Sequence, residues 1–291
     1  MSALETYLEH RPAMLAAAFR ITGSRADAED VVQETWERWE RVDGEQIASP
    51  RAYLCVMASR LALNALRTQR RRRESYVGPW LPEVVVDDGS VEWSVLQQDG
   101  LGQALDVVLA ALSPEQATAY VLRKVLDLSY AEIAQVLETS QPAARQILSR
   151  AQRAVEAALT GDAATRRALD TRALTALAHA ITAGDVAAVV ALLAPDSTLH
   201  ADGGGLVTAA LRPVVGSEKV ARLLLGLAQR PDLVVLPAAL SGGVGFLIYE
   251  ADALTTVMTV RTQDRGDGTP AIQEVYMLRN PQRLPQAPPI E

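Results

Sequence analysis

Apolar positions recur at helical spacing through the first half of the chain and at strand spacing only toward its end. Leu4 to Ile21 reads as a first helix. Ser24-x-x-Asp27 can cap a second, with a stripe of Ala28, Val32, Thr35, Trp36 and Trp39 and an opposite face of Asp27, Asp30, Glu34 and Glu37. A third helix starts near Ser49-Pro50 and turns Leu54, Ala58, Leu61 and Ala65 inward. Its other face lines up Arg60, Asn64, Arg67 and Arg71, because offsets of 4, 7 and 11 return to nearly one angle. Helices resume near Leu101. Ser113-Pro114-Glu115-Gln116 and Ser129-x-x-Glu132 are capping boxes. Tyr130 to Leu137, a break at Glu138-Thr139-Ser140, and Gln141 to about Ala158 make a helix-turn-helix with Ile133, Ala134, Leu137, Ile147, Leu148 and Ala151 inside. Its outward face offers Gln141, Arg145, Gln146, Ser149, Arg150 and Arg153.

After Gly161 the pattern changes. Helices are predicted over Arg166 to Ala183, Val186 to Leu193 and Ser217 to Gln229, and strands over Leu233–Leu236, Val244–Glu250, Leu254–Arg261 and Ile272–Arg279. Helices followed by a strand meander indicate an α+β domain. Between the two halves, Tyr76 to Gln98 is broken by Gly78-Pro79, Leu81-Pro82 and Asp87-Asp88-Gly89. Tyr76, Trp80, Leu81 and Trp93 are costly to leave in water, so this linker is expected to pack on something. The Pro-rich end, 285–291, is expected to be disordered.

The 291 residues carry a net charge of −7, one cysteine and three histidines. Cys55 alone forbids an intramolecular disulfide framework or a zinc cluster and fits a reducing cytoplasm. The start lacks a secretory pattern, and no run approaches the ~20 apolar residues of a membrane span. A charge of −7 argues against a simple nucleic-acid binder, yet charge is sorted along the chain. Asp27 to Glu45 is acidic, Arg51 to Arg73 contains no acid, and Glu74 to Tyr120 contains no Lys or Arg. Arginine binds phosphate bidentately and asparagine can read a base edge, so Arg67 to Arg73, with Arg70, Arg71, Arg72 and Arg73 in a row, points to nucleic acid. The acidic helix face is either solvated or docks a basic protein.

His200 and Asp202, two apart on a strand, are the one pair resembling acid–base equipment; a strand end entering a glycine turn explains them as well. His10 and His179 stand alone on helices, and no metal-ligand spacing or nucleotide-binding glycine fingerprint is present. Cys55, between Leu54 and Val56, reads as a buried thiol. No catalytic residue, metal or cofactor is assigned.

The order of acidic helix, basic helix, linker and helix-turn-helix resembles the extracytoplasmic-function (group IV) sigma factors of the sigma-70 family. Ala26-Asp27-Ala28-Glu29-Asp30-Val31-Val32-Gln33-Glu34 is similar to the region 2 motif that docks the polymerase β′ clamp. Pro50-Arg51-Ala52-Tyr53-Leu54 and Asn64-Ala65-Leu66-Arg67 resemble the segment that melts and reads the −10 element. Leu128-Ser129-Tyr130-Ala131-Glu132-Ile133-Ala134 looks like the start of region 4, which reads the −35 element. Tyr76-Val77-Gly78-Pro79-Trp80-Leu81-Pro82-Glu83, Asp202-Gly203-Gly204-Gly205 and Asn280-Pro281-Gln282-Arg283-Leu284 resemble the three signatures of the SigJ-like subgroup with a C-terminal SnoaL-like extension. Val84, Gln282 and Arg283 depart from those signatures, and Glu138 stands where glycine is common.

The resemblance implies all-α region 2 (1–74) and region 4 (101–160) domains, a linker (75–100), and an α+β SnoaL-like cone of the cystatin/NTF2 type (166–284). It implies polymerase docking by Asp27, Asp30 and Glu34, −10 contacts by Arg60, Asn64, Arg67 and Arg70 to Arg73, and −35 contacts by Gln141, Arg145, Gln146, Ser149, Arg150 and Arg153. The loop from Glu45 to Ser49 would hold an unstacked base. Tyr76, Trp80, Leu81 and Pro82 would dock near Asp202 to Gly205, Asn280 and Pro281 and regulate activity. Implied partners are the β and β′ subunits of core polymerase and promoter DNA, in the cytoplasm, with no membrane and no dedicated anti-sigma factor; a small-molecule ligand of the C-terminal domain is left open. Two other readings compete. One is a DNA-binding regulator fused to an isomerase- or cyclase-like domain using His200 and Asp202. The other is a one-component repressor, which leaves the arginine helix unexplained.

Overall fold

The computed structural model describes residues 2–42, 47–73, 76–84, 86, 102–159, 163–240 and 243–285, with backbone only for 72, 73, 102–104 and 163–167. The chain forms two compact units. Residues 76–84 and 86, in the segment read as a linker, belong to the second unit, while the described residues up to 73 and those over 105–159 share the first. Among the described residues no helix is long and apolar enough to cross a membrane.

In the first unit α1 (Ala3–Thr22), α2 (Arg25–Trp39) and α3 (Pro50–Arg73) pack together. Ser2 and Glu5 form a capping box on α1, and Gly23, at φ 67°, closes its end in the left-handed conformation. Met14, Leu15, Phe19, Leu54 and Trp39 are buried, each contributing roughly 1.5–3 kcal/mol of burial. Trp36 is only half-buried and lies against Tyr7, with ring centroids 5.0 Å apart. Four helices follow: α4 (Gly102–Ala111), α5 (Pro114–Lys124), α6 (Tyr130–Val136) and α7 (Gln141–Ala158). The capping boxes predicted at Ser113 and Ser129 are both formed. Ala144, Leu148, Ala151 and Val155 form the buried stripe of α7, whereas Ile147 is only half-buried. Glu138, in the turn between α6 and α7, takes the left-handed conformation at φ 52°, which explains why glycine suits that position.

In the second unit α8 (Ala163–Thr182), α9 (Val186–Leu192) and α10 (Ser217–Ala228) cover one face of a six-stranded sheet. The strands are β1 (Leu193–Asp202), β2 (Val214–Val215), β3 (Leu233–Leu240), β4 (Gly243–Glu250), β5 (Ala253–Asp264) and β6 (Pro270–Leu278), in the order β2-β1-β6-β5-β4-β3. β1 runs parallel to β6 and every other pair is antiparallel. β1 begins at Leu193, directly after α9, earlier than local pattern indicates, and β3 extends to Leu240. Both differences come from pairing with distant strands, which local periodicity does not encode. The opposite sheet face carries Leu240, Leu247, Tyr249, Val257 and Leu278, covered by Val84 and Val86 of the linker segment.

Candidate nucleic-acid interface and linker-docking site

Helix α3 carries the acid-free arginine series. Arg60, Asn64, Arg67 and Arg71 are exposed in one line, as spacing predicts, and Arg70 is half-buried. Side chains of Arg72 and Arg73, and loop residues Glu45 and Gln46, lie outside the described residues. The structure adds something the sequence did not indicate: these arginines already hold ligands of the chain's own making. Arg51 donates to Leu126 O at 3.0 Å and Arg60 to Gln135 O at 2.7 Å; Arg70 donates to Ala110 O at 3.2 Å and also to Leu112 O. Gln135 and Ala110 lie in the last turns of α6 and α4, where unpaired carbonyls carry partial negative charge, and Leu126 and Leu112 follow the ends of α5 and α4 by two residues and one. Arg67 instead makes two bonds to the Glu115 carboxylate, at 3.0 and 3.3 Å. Partial burial pushes that carboxyl up, but its hydrogen bonds and Arg67 together hold it below its usual range. Burial lowers the Arg70 pKa.

The acidic trio sits beside this helix. Asp27 accepts from Gln69 Nε2 at 3.0 Å, Glu34 pairs with Arg38 at 2.5 Å, and Asp30 is exposed. Asp27, Asp30 and Glu34 share one cleft with Asn64, so residues assigned to two different tasks line one surface. A second cavity is lined by Tyr53, Met57 and Arg60 of α3 with Val42, Glu132 and Gln135. Tyr53 and Met57 were not singled out from sequence; an aromatic at an outward position of a basic helix is the signal available. On α7, Gln141, Arg145, Gln146, Arg150 and Arg153 are exposed, and Ser149 is half-buried and accepts from Arg153. The Arg145 guanidinium lies 5.0 Å from the Tyr130 ring centroid, which orients it. Arg20 and Asp106, also missed, form a buried pair at 2.5 Å inside the first unit.

In the second unit the three signature segments meet at one carboxylate. Asp202, at the end of β1, is fully buried. It accepts from Tyr76 Oη at 2.5 Å, Leu81 N at 2.9 Å and Arg283 Nη1 at 2.6 Å. Asn280 Nδ2 donates to Tyr76 Oη at 2.8 Å, and Arg283 stacks on Trp80 at 4.4 Å from the ring centroid. Leu81 and Pro82 are buried. The glycines are required sterically. A Cβ at Gly204 (φ +61°) would overlap Asn280, one at Gly205 (φ +73°) would press on Val77, and one at Gly203 would lie 2.8 Å from Val207 O. Pro281 starts the turn closed by Arg283 N donating to Asn280 O. Arg283 belongs to this site although only its neighbours Asn280 and Pro281 were assigned to it from sequence. Tyr76 titrates above its usual range, through burial and then its bond to Asp202.

His200 and Asp202 are not an acid–base pair. Asp202 is occupied by Tyr76, Leu81 N and Arg283, whereas His200 bonds to Glu274 at 2.7 Å and stacks on Tyr276. Cys55 is buried, and burial pushes its thiol up to about 11, away from nucleophile behaviour.

Sigma-70 region 2 matches residues 6–72, and Sigma-70, region 4 matches residues 102–155. The ECF RNA polymerase sigma factor SigJ of Mycobacterium tuberculosis is 42% identical over 236 residues, 79% of this chain and 73% of its own length. The probable ECF RNA polymerase sigma factor SigI of the same species is 26% identical over 285 residues, 94% of this chain and 92% of its own length. The crystal structure of M. tuberculosis SigJ superposes with a TM-score of 0.74 at 34% identity, covering 96% of this chain and 97% of that one. Regions 2 and 4 joined to a mixed α/β C-terminal domain, and this degree of identity, place the chain among the ECF RNA polymerase sigma factors.

Proposed function

We propose that this sigma factor recruits core RNA polymerase through the acidic face of α2 and engages promoter DNA through α3 and α7, with its C-terminal domain setting activity. Asp27, Asp30 and Glu34 meet a basic polymerase surface. Arg60, Asn64, Arg67 and Arg70 to Arg73 track phosphate and read the −10 element, and Tyr53 and Met57 flank the unstacked base. Gln141, Arg145, Gln146, Ser149, Arg150 and Arg153 enter the −35 major groove. The observation that carries this reading is the capture of α3 arginines by helix C-termini and one carboxylate. Those groups present negative charge as phosphates do, so in the free chain region 4 stands where DNA will be. Polymerase binding separates the two regions and frees the arginines, so the free protein is expected to bind DNA weakly and with strong salt dependence. No group in the chain is assigned to catalysis, and no dedicated anti-sigma factor is required if the chain restrains itself.

The docked linker segment supplies the second part. Tyr76, Trp80, Leu81 and Pro82, held on Asp202 to Gly205, Asn280 and Pro281, fix the point from which region 4 is tethered. Reconstituted transcription with core polymerase, full-length chain against chain ending before Asn280, tests both parts. Promoter-specific transcripts from the full chain, with altered output from the truncated one, are expected. Failure to bind core would overturn the first part, and an unchanged transcription profile the second.

A further inference from the structure

The helix-covered face of the sheet in the second unit is not filled. Between α8, α10 and strands β3 to β6 lies a cavity of about 320 Å³. Ala178, Ile181, Leu227, Val235, Phe246 and Met258 give it apolar walls. Val235 remains 41% exposed, an apolar surface left to water. On the other face of the same sheet Val84 packs on Leu240, Leu247, Tyr249, Val257 and Leu278. Exposed His179, Thr175 and Thr182 make a polar rim.

Two polar groups interrupt the apolar wall together, the Glu250 carboxylate and the Thr256 hydroxyl, and both are held from behind. Arg230 Nη1 lies 2.9 and 3.2 Å from the two Glu250 oxygens. Arg279 Nε donates to Thr256 Oγ1 at 3.1 Å, and Arg279 Nη2 lies 3.8 Å from Glu250. Their positions are therefore fixed before any ligand arrives.

We propose that this cavity is a binding site for a neutral, largely apolar small molecule of about a dozen non-hydrogen atoms that carries one hydroxyl or carbonyl. An engineered protein cavity of about 150 Å³ accommodates benzene, so roughly twice that volume suits two fused rings. Glu250 lines the cavity whereas Arg230 and Arg279 lie behind it, outside the lining, so an anion meets the carboxylate first, and the carboxylate is already shared with two guanidinium groups and offers a cation little. A hydroxyl can donate to Glu250 and sit against Thr256, satisfying both ends in an otherwise apolar site. The site stands on its geometry and does not depend on whether the domain regulates transcription.

Isothermal titration of the full-length chain with 2-naphthol tests this. One-to-one saturable binding is expected, at least fivefold tighter than for naphthalene and at least tenfold tighter than for 2-naphthoate. Thr256→Val should bring 2-naphthol and naphthalene to within twofold of each other. Ala178→Phe should fill the cavity and abolish binding while far-UV circular dichroism stays unchanged. If Ala178→Phe does not fold, the three-ligand ranking on the unmodified chain decides. No saturable binding of 2-naphthol, binding unaffected by a folded Ala178→Phe chain, or tighter binding of 2-naphthoate would overturn the assignment.

Discussion

The two places where distant segments are tied together follow opposite rules. In the first unit, α3 is tied to region 4 through arginines on an exposed or half-buried surface, each holding helix-end carbonyls or one carboxylate. In the second, the linker segment is tied to the sheet through a fully buried carboxylate with three donors, walled by glycines that allow no side chain. Exposed ion pairs contribute about 0–1 kcal/mol, while removing one partner of a buried charged pair costs about 3–5 kcal/mol. The first contact is therefore suited to exchange for DNA phosphate, and the second to persist through that exchange.

The largest expected effect comes from breaking the second contact. Asp202→Ala removes the acceptor shared by Tyr76, Leu81 N and Arg283 and should destabilise the second unit by about 3–5 kcal/mol. Chemical denaturation reads the loss, and amide exchange at residues 76–84 locates it; an unchanged midpoint would erase the contrast. Gly204→Ala, forced to a left-handed φ of +61° against Asn280, should cost about 1–3 kcal/mol in the same assay. Glu115→Gln should weaken the first contact by less than about 1 kcal/mol, because the Arg67 and Glu115 side chains keep 44% and 36% of their surface in water. Its readout is a rise of up to about fivefold in DNA binding by the free chain at low salt. Glu138→Gly relieves a left-handed φ of 52°, worth about 1–2 kcal/mol, against about 0.4–1 kcal/mol of added unfolded-chain entropy, and should leave a net stabilisation of under about 1.5 kcal/mol in a thermal melt.

The contacts should also fail at opposite ends of the pH scale. Glu115 is held below its usual 4.5, so its contribution is present above that pH and is lost as pH falls through the depressed value. Tyr76 is raised above its usual 10.0, so its contribution is present below pH 10 and is lost as pH rises through the raised value. Amide exchange followed in acid and in alkali should show α3 loosening in the first and the linker segment in the second.

Much of this was legible locally. The capping boxes at Ser113 and Ser129, the exposed line of Arg60, Asn64, Arg67 and Arg71, and the buried stripes of α2 and α7 are properties of spacing on one helix. The linker segment announced its docking through Trp80 and Leu81, which water would not tolerate. What local reading missed is long-range. Arg283 lies 81 residues from its Asp202 partner, Arg20 is 86 from Asp106, and the early start of β1 depends on parallel pairing with β6. Periodicity reports which face of an element is buried, not which element buries it.

Helices, their caps and the segregation of acid from arginine follow from the order of residues alone. Side-chain period and backbone sterics act within a few residues, so a chain states them openly. It took the folded chain to show that α3 arginines are held at helix ends, that Asp202 gathers three separate segments, that glycine is needed beside it, and that the helix-bearing sheet face leaves a cavity. Those outcomes depend on where distant elements pack, and packing is a property of surfaces that exist only once the chain has folded.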